Sequence, residues 1–507
     1  MHVSKVETAT KINRETTDTR VEKLLESFDK IVEDSTTEQL SFEEHAAVLI
    51  RMIDYEIKEV DFKKKCQLAP DQTVRKEHYV VEVIEELLAI FSRHKRNLQA
   101  FTKDSLYLYN GAYWSKLKEE DALYFLGKAA EKMNVTKYKS KMSVFQDDLM
   151  KQLLRASYKP MKRAEKKTIS VNLRNGTFDI KANSQSMRGF DPSDMFTYQL
   201  SFDYDEKSQC PLFMNFLNMV LPDIEQQTIL AEYIGYVFVP NGVLNVEKAL
   251  FIYGTGGNGK SVIFNIINAL VGRENITSFD IGALTNPDER GDRNRAEIEN
   301  KLVNYSSEIG TNIHFDNFKK LVTNEPIPIR NLYEKPRFAY NYAKLIFNAN
   351  RLPANPEQTD AYFRRLIILE FKLQIEEDKK DVDLSFKILE SELPGVFNWV
   401  LSGMRRLLKN RNFSKCRASD ELVSKYRAES DTIARFLEDK GYVYDRNGRK
   451  KWYDLKMEYY EYCKAMRYPS LPERSIKESL KQKGIDNKRG SEGLIFEMTK
   501  APDLGWP

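Results

Sequence analysis

The chain has 507 residues, of which 41% are hydrophobic and 30% charged, a length that allows about three or four globular domains. The net charge is only +4, with 79 basic and 75 acidic residues, so any nucleic-acid surface must be local. No apolar run reaches the roughly 18 residues of a membrane span, the first residues lack a signal-peptide core, and the four cysteines stand far apart. We therefore expect a cytoplasmic protein that makes no use of membranes, disulfides or zinc.

Residues 1–95 show helical periodicity. Apolar residues such as Leu24, Leu25 and Phe28 recur at three- and four-residue steps among polar ones, which predicts amphipathic helices. No recognisable chemistry accompanies them, so we interpret this region as a helical bundle or oligomerisation element of unknown role.

Residues 96–210 are predicted to form an α+β domain with two β-hairpins. Residues 106–109 and 112–114 flank one Asn-Gly turn, and residues 169–173 and 177–180 flank another. Between the hairpins lie basic residues with an aromatic among them: Lys137, Tyr138, Lys139, Lys141, Lys159, Lys162, Arg163, Lys166 and Lys167. A solvated helix face and a nucleic-acid-facing surface are equally good interpretations of this pattern.

The most specific motif is a glycine-rich stretch between an apolar strand (248–253) and an apolar helix (262–270). Its residues are Gly254-Thr255-Gly256-Gly257-Asn258-Gly259-Lys260-Ser261, which match G-x-x-x-x-G-K-[ST] in the strand–loop–helix context that the pattern requires. Backbone N–H groups of such a loop surround phosphate oxygens, the lysine reaches the β- and γ-phosphates, and the serine hydroxyl ligates Mg²⁺. The motif predicts ATP and Mg²⁺ as cofactors.

Three later strands carry polar residues suited to phosphoryl transfer. Glu308 follows one apolar strand and would orient water toward the γ-phosphate, while Asn350 follows the next and would hold that water. Arg364 and Arg365 precede a third strand and offer planar donors for the charge that develops on the phosphoryl group. An asparagine here is also a common turn residue, and an arginine a common surface ion-pair partner, so these alternatives stay open.

A segment between the acid strand and the asparagine strand combines cations with an aromatic around a predicted hairpin. Its candidate DNA-binding residues are Lys319, Arg330, Tyr333 and Lys335. Cations can follow the phosphates of a single strand while an aromatic ring stacks on a base or sugar. An ordinary surface hairpin is the competing interpretation.

The last ninety or so residues are predicted to form helices over 431–437, 453–462 and 475–483, followed by strand residues 494–498. Helices followed by a terminal hairpin are typical of a winged helix. A charged stretch at 409–412 is interpreted as the linker that precedes this domain.

The order of these motifs resembles the superfamily 3 DNA helicases, in the branch of phage and plasmid primase C-terminal regions, and is similar to poxvirus-type primase-helicases. The similarity covers about residues 100–500 and is most specific over 245–371. It implies an AAA+ fold over 211–410, an α/β P-loop ATPase core whose parallel sheet is flanked by helices. The helical region 1–95 and the α+β domain 96–210 would precede this core, and a winged-helix-like domain 411–507 would follow it.

The resemblance also implies a role for each matching residue. Lys260 and Ser261 correspond to the Walker A pair, Glu308 to the Walker B acid that shares Mg²⁺ with Ser261, and Asn350 to the polar sensor. Arg365 resembles the arginine finger that enters a neighbouring subunit's site, with Arg364 as the substitute candidate.

The chain departs from the family pattern at three places. Thr323-Asn324-Glu325 stands where Gly-Gly-Asp is common, Ser307 replaces the first acid of a pair, and Ala349 replaces a threonine beside the sensor. The first departure leaves the geometry of the DNA-contacting hairpin open. None of the three removes a residue that the mechanism requires.

These implications converge on an ATP-dependent DNA helicase for replication of a phage, plasmid or mobile element. The expected assembly is a ring, usually a homo-hexamer, that pulls single-stranded DNA through its pore. The C-terminal domain would contact duplex DNA or a loading partner, and a primase or polymerase is a further expected partner. The alternatives are a P-loop ATPase for DNA packaging or defence, and an origin-binding scaffold that uses ATP only to assemble.

Overall fold

The computed structural model describes residues 55–501 except 94–97, 103–104, 160–167, 182–183, 311–312, 333, 354–355, 377–379 and 491–492. These residues form two compact units, one within 1–163 together with Phe190–Thr197, the other within 164–189 together with 198–507. The predicted domain over 96–210 therefore has residues in both units. Within the described ranges, no helix is both long and apolar enough to cross a membrane.

The first unit combines helices with a small antiparallel sheet. Its strands are β1 (Leu98–Thr102), β2 (Ser105–Tyr109) and β3 (Trp114–Lys116), in the order β1-β2-β3. Pairing of β2 with β3 confirms the first predicted hairpin. The helices of this unit are Phe62–Lys65, Lys76–Arg93, Glu119–Lys132, Lys137–Ser140 and Ser143–Ala156. Their apolar faces bury a common core that includes Leu87, Leu126 and Leu149.

The second unit opens with the antiparallel strands β4 (Ile169–Leu173), β5 (Gly176–Lys181) and β6 (Ser184–Arg188). Pairing of β4 with β5 confirms the second predicted hairpin. Phe178 of β5 lies 6.4 Å, centroid to centroid, from Phe397 of a later helix. These strands consequently share a core with the residues that follow them.

A five-stranded parallel sheet forms the centre of the second unit. Its strands are β7 (Ala249–Tyr253), β8 (Ile276–Thr277), β9 (Val303–Ser306), β12 (Lys344–Ala349) and β13 (Leu366–Glu370), in the order β13-β7-β12-β9-β8. The four strands expected from apolar runs are confirmed. Because β7 and β12 lie inside the sheet with both faces covered, nearly every residue in them is buried.

Helices surround this sheet. They are Pro211–Val220, Ile224–Val237, Lys260–Val271, Ile281–Thr285, Glu289–Glu297, Phe315–Val322, Asp360–Phe363, Leu384–Ser391, Leu393–Asn410 and Arg417–Ser430. The short strands β10 (Ile327–Ile329) and β11 (Arg337–Ala339) pair antiparallel, which confirms the hairpin predicted between the acid strand and the asparagine strand.

The C-terminal residues have their own hydrophobic core, which runs in sequence from Ile433 to Met498. The three predicted helices are present as Thr432–Asp439, Trp452–Met466 and Glu473–Gln482. The strands of this part are β14 (Tyr442–Tyr444), β15 (Lys450–Lys451), β16 (Asn487–Gly490), β17 (Gly493–Phe496) and β18 (Met498–Lys500). Strands β16 and β17 form a hairpin after the last helix.

Candidate functional site

The glycine-rich loop joins β7 to the helix Lys260–Val271. Gly254, Gly257 and Gly259 have positive φ angles of 152°, 76° and 86°, which disfavour side chains. A Cβ atom on Gly254 would lie 2.5 Å from the Phe371 carbonyl oxygen, and one on Gly259 would lie 2.9 Å from the Phe216 ring. Both the backbone conformation and the surroundings therefore require glycine at these two positions.

Hydrogen bonds tie this loop to the neighbouring strands. The buried side chain of Asn258 donates from Nδ2 to the Phe371 carbonyl oxygen at 2.9 Å. The backbone N–H of Gly254 donates to Ala349 at 3.0 Å, and that of Ile375 donates to Gly257 at 2.9 Å. The loop thus has a defined shape set by β12, β13 and the residues after β13.

Lys260 places a positive charge inside the loop. Its ammonium donates to the carbonyl oxygens of Gly254 and Thr255 at 2.7 and 2.8 Å and to Asn258 Oδ1 at 2.9 Å. All three acceptors are neutral, and the ammonium forms no ion pair with any residue that the structure describes. Burial lowers the pKa of Lys260, which marks the cost of holding this charge without a carboxylate. An anion placed here would meet an uncompensated cation and a helix N-terminus.

The Lys260 ammonium and the N-terminus of its helix provide donors that fit a nucleotide phosphate. Lys260 begins the helix after the loop, and Ser261 follows it with an exposed side chain. Glu308 is also exposed, just beyond the end of β9. A hydroxyl and a carboxylate are oxygen ligands of the kind that Mg²⁺ prefers.

The register of the parallel strands aligns their carboxyl ends. Ser306, the last residue of β9, lies beside Phe347, and Ala349 lies beside Tyr253, so β12 and β7 end together and β9 ends two residues earlier at the same side. Glu308 follows β9 in a turn in which its N–H donates to Ser306 Oγ at 3.3 Å. Asn350, exposed, directly follows β12. Lys260, Glu308 and Asn350 consequently belong to one edge of the sheet.

The two arginines belong to the opposite edge. The backbone N–H of Ala249, the first residue of β7, donates to the carbonyl oxygen of Arg365 at 2.9 Å. Gly254 begins the loop at the other end of β7, roughly 16 Å away at about 3.3 Å per residue. Within one chain, the strand length separates the arginines from the glycine-rich loop.

Arg364 and Arg365 differ in exposure. The side chain of Arg365 is 8% exposed, pairs with Glu247 at 3.2 Å and donates to the Ala361 carbonyl oxygen at 2.5 Å. Its Nε atom has no hydrogen-bond partner among the residues that the structure describes. The side chain of Arg364 is 63% exposed, and its Nη2 atom lies 3.6 Å from the same Glu247 oxygen. Of the two guanidinium groups, that of Arg364 faces solvent.

The predicted DNA-binding residues have different surroundings. Lys319 pairs with Asp316 at 2.9 Å and Glu357 at 3.1 Å, so two carboxylates already neutralise its charge. Arg330 pairs with Glu289. Lys335, in the loop of the β10–β11 hairpin, is exposed and forms no ion pair with a described residue. Tyr333 lies outside the described residues.

A buried lysine at the start of β12 was not identified from the sequence. Lys344 is 5% exposed, and its ammonium lies 4.3 Å from the centre of the Tyr236 ring. It donates to the amide oxygens of Asn241 and Asn324, the latter at 3.1 Å. Burial lowers the pKa of Lys344 to about 7. The sequence signal that could have identified it is a lysine at the start of an otherwise apolar strand.

Asn324 has a left-handed backbone in the turn before β10. Its φ angle is 57°, a left-handed conformation that asparagine tolerates better than most residues. Its amide donates to the Tyr236 hydroxyl at 3.1 Å while its oxygen accepts from Lys344. Asparagine thus takes the backbone conformation of a glycine and anchors the turn before β10 as well.

A second cation beside the loop was also missed. The Lys380 ammonium lies 3.8 Å from the position of a Cβ atom on Gly257, and Gln374 lies 3.9 Å from it. Both belong to the stretch that follows β13. No local motif distinguishes them in the sequence.

Two protein families match parts of the chain. Residues 85–222 match the family described as D5 N terminal like, and residues 252–365 match the family of unknown function DUF5906. A putative helicase of Invertebrate iridescent virus 3 is 23% identical over 310 residues, which cover 53% of this chain and 32% of that protein. A putative helicase of Acanthamoeba polyphaga mimivirus is 23% identical over 255 residues, covering 47% and 26%.

Solved structures of the NrS-1 C terminal region are also similar. One A-form apo structure has a TM-score of 0.43 at 11% identity and covers 82% of this chain and 99% of the other. A second apo structure has a TM-score of 0.44 at 13% identity, covering 83% and 99%. The chain is a mixed α/β protein related in sequence to viral proteins named as helicases, and it spans about a third or less of the length of those curated relatives.

Proposed function

We propose that the chain is the motor of an ATP-dependent DNA helicase that serves replication of a virus, phage, plasmid or mobile element. The observation that carries the proposal is the Lys260 ammonium, which is held by three neutral oxygens at the sheet edge to which Glu308 and Asn350 also belong. The similarity to viral proteins named putative helicases supports DNA unwinding over other uses of a nucleotide.

In this proposal the residues at the sheet edge bind ATP and activate water. Backbone N–H groups of residues 254–259 surround the phosphates, and Lys260 exchanges its loop oxygens for β- and γ-phosphate oxygens. Ser261 and Glu308 would hold Mg²⁺, which would neutralise charge on the phosphates. Glu308 also accepts a proton from water, and Asn350 orients that water.

The opposite edge supplies an arginine to another subunit. Because the strand length separates Arg364 and Arg365 from their own loop, either residue can complete a nucleotide site only in a neighbouring copy. We propose that copies form an AAA+ ring, a homo-hexamer as in the family that the sequence resembles. Sequence resemblance favours Arg365 as the finger, but exposure favours Arg364, with Arg365 and Glu247 positioning it.

DNA would contact the β10–β11 hairpin. Phe338 of β11 and Tyr340, which directly follows this strand, are 57% and 48% exposed on either side of buried Ala339. Together with exposed Lys335 they provide the aromatic and cationic contacts that a single strand in the pore requires. In this proposal Lys319 and Arg330 reach phosphates only after their ion pairs open.

The C-terminal part provides a second DNA contact in this proposal. A winged helix would present Glu473–Gln482 as its recognition helix and β16–β17 as its wing. Arg474 on this helix is 90% exposed, and Lys481 and Arg489 are also exposed. We expect duplex DNA near the fork, or a primase or polymerase partner, at this face.

The experiment is ATP hydrolysis by purified protein with and without single-stranded DNA, followed by unwinding of a forked duplex. Wild-type protein should hydrolyse ATP faster with DNA and should separate the fork. Lys260→Ala and Glu308→Gln should each lower turnover roughly 100-fold or more. DNA-stimulated turnover without unwinding would favour a packaging or defence ATPase. If Glu308→Gln keeps its function on DNA although its ATP turnover is lost, an origin-binding scaffold that uses ATP only to assemble would be favoured.

A further inference from the structure

An exposed turn in the first unit carries apolar and cationic side chains that face solvent. It comprises the short helix Lys137–Ser140, the two residues after it and the first two residues of the helix Ser143–Ala156, and is called the Tyr138 turn below. The side chains of Tyr138, Met142 and Val144 are 87%, 57% and 56% exposed. Lys137 and Lys141 are exposed as well, and neither forms an ion pair with a described residue. Clustered exposed apolar residues on a folded surface are unusual and mark contact sites.

The Tyr138 turn is seated firmly on the helices beneath it. The carbonyl oxygen of buried Ser140 accepts a hydrogen bond from Gln146 Nε2 at 3.1 Å. Gly127 of the helix Glu119–Lys132 lies directly below, because a Cβ atom there would clash with Gln146 and lie 3.1 Å from the Ser140 oxygen. The Lys139 ammonium lies 4.2 Å from the centre of the Tyr79 ring on the helix Lys76–Arg93. The exposed side chains therefore project from a backbone that these contacts hold in place.

We propose that the Tyr138 turn is a contact surface for single-stranded nucleic acid. Tyr138 stacks on a base, and Lys137 and Lys141 on either side of it neutralise phosphates. Aromatic stacking flanked by cations is the chemistry of sequence-tolerant single-strand binding. A protein partner fits less well, since lysine is depleted at protein interfaces and this short segment carries two exposed lysines beside its apolar residues. This inference and the proposed function both involve DNA as the partner, but they otherwise rest on different residues.

The test is binding of a labelled oligo-dT strand without nucleotide, measured by fluorescence anisotropy over a range of salt concentrations. Tyr138→Ala should raise Kd about tenfold, whereas Tyr138→Phe should bind as wild type because the ring remains. Lys137→Ala combined with Lys141→Ala should reduce the slope of log K against log salt by about 1.4, or about 0.7 for each phosphate that is no longer neutralised.

Lys207→Ala combined with Lys409→Ala is the matched control, since it removes two exposed lysines of the second unit and the same net charge. It should leave the salt slope unchanged, and circular dichroism should show that all variants fold. The inference would be overturned if Tyr138→Ala and the Lys137/Lys141 variant both bind DNA as this control does. A shift of Tyr138→Ala to a smaller assembly in sedimentation, with DNA affinity intact, would overturn it in favour of a protein contact.

The two proposals fail separately. If DNA stimulates ATP hydrolysis and Tyr138→Ala keeps the wild-type DNA affinity, only the proposal for the Tyr138 turn is rejected. If Tyr138→Ala binds DNA tenfold more weakly but DNA does not change the ATP turnover of the wild-type protein, the helicase proposal is rejected and the proposed binding surface is retained.

Discussion

The Oε2 atom of Glu247 lies 3.2 Å from Nη2 of Arg365, and this ion pair fixes a guanidinium that is almost fully buried. The backbone of Glu247 is left-handed, with φ at 44°, a conformation that costs a non-glycine residue about 1–2 kcal/mol. Burial also lowers the pKa of Arg365, while the Glu247 carboxylate opposes that shift. The fold maintains this contact despite both costs, which indicates a structural role for Arg365.

The first prediction separates the two arginines. Arg364→Ala should unfold at the wild-type temperature but lose ATP turnover roughly 1,000-fold, because an exposed finger contributes to the transition state and little to the fold. Arg365→Ala should lower the free energy of unfolding by about 1–3 kcal/mol, because Glu247 loses its close partner. Thermal unfolding and turnover of both variants provide the comparison. A stable Arg365→Ala that alone loses turnover would make Arg365 the finger.

Mixing subunits tests the sharing of the site. Arg364→Ala keeps its own glycine-rich loop, and Lys260→Ala keeps its own arginines, so mixed assemblies contain some complete sites at subunit boundaries. Turnover of the mixture should exceed that of either variant several-fold, as measured by phosphate release at fixed total protein. Turnover that never rises above the mean of the separate variants would argue against a site shared between subunits.

The second prediction concerns the link between Asn258 and Phe371. Asn258→Ala removes a buried 2.9 Å hydrogen bond and an acceptor of Lys260, so the loop should lose its defined shape. We expect ATP affinity to fall about tenfold, or about 1.4 kcal/mol, which lies within the roughly 1–3 kcal/mol that a buried unsatisfied acceptor costs. Fluorescent-nucleotide titration measures it. Asn265→Ala, on the helix that follows the loop, removes only a 3.4 Å exposed contact and should bind ATP normally.

The third prediction compares two glycines of one loop. Gly259→Ala places a methyl group 2.9 Å from the Phe216 ring at a φ of 86°, so we expect a loss of about 1–3 kcal/mol in stability together with loss of ATP binding. Gly256→Ala meets nothing within 4 Å and should unfold like wild type. Equal melting temperatures for the two variants would contradict the geometry of the loop.

Local patterns were sufficient for four of the five strands of the parallel sheet and for the loop. Strands β7, β9, β12 and β13 are short apolar runs, and the glycines of residues 254–259 have steric requirements that depend on few neighbours. Such features depend on the sequence near them, which explains why the strands, hairpins and C-terminal helices could be predicted.

The availability of charged side chains could not be predicted in the same way. Whether Lys319 or Arg365 is free depends on Glu357 and Glu247, which reach them from other parts of the chain. The division of residues 96–210 between two units likewise depends on Phe178 packing against Phe397. These are tertiary contacts, and no spacing within a single segment encodes them.

The last prediction concerns the buried Lys344. Its pKa in the folded protein is about 7, below the ordinary value of 10.5, because burial disfavours the charged form. Between pH 7 and about 10 the unfolded chain therefore binds this proton more strongly than the folded chain, so stability should rise with pH. Relative to Lys344→Met, the wild-type free energy of unfolding should increase by up to about 1.4 kcal/mol per pH unit above pH 7 and stay level below it. Urea unfolding at pH 6, 7, 8 and 9 measures this difference, with Lys335→Met as the control for an exposed lysine. A difference that stays level up to pH 9 would mean that Asn241, Asn324 and the Tyr236 ring keep the ammonium charged inside the fold.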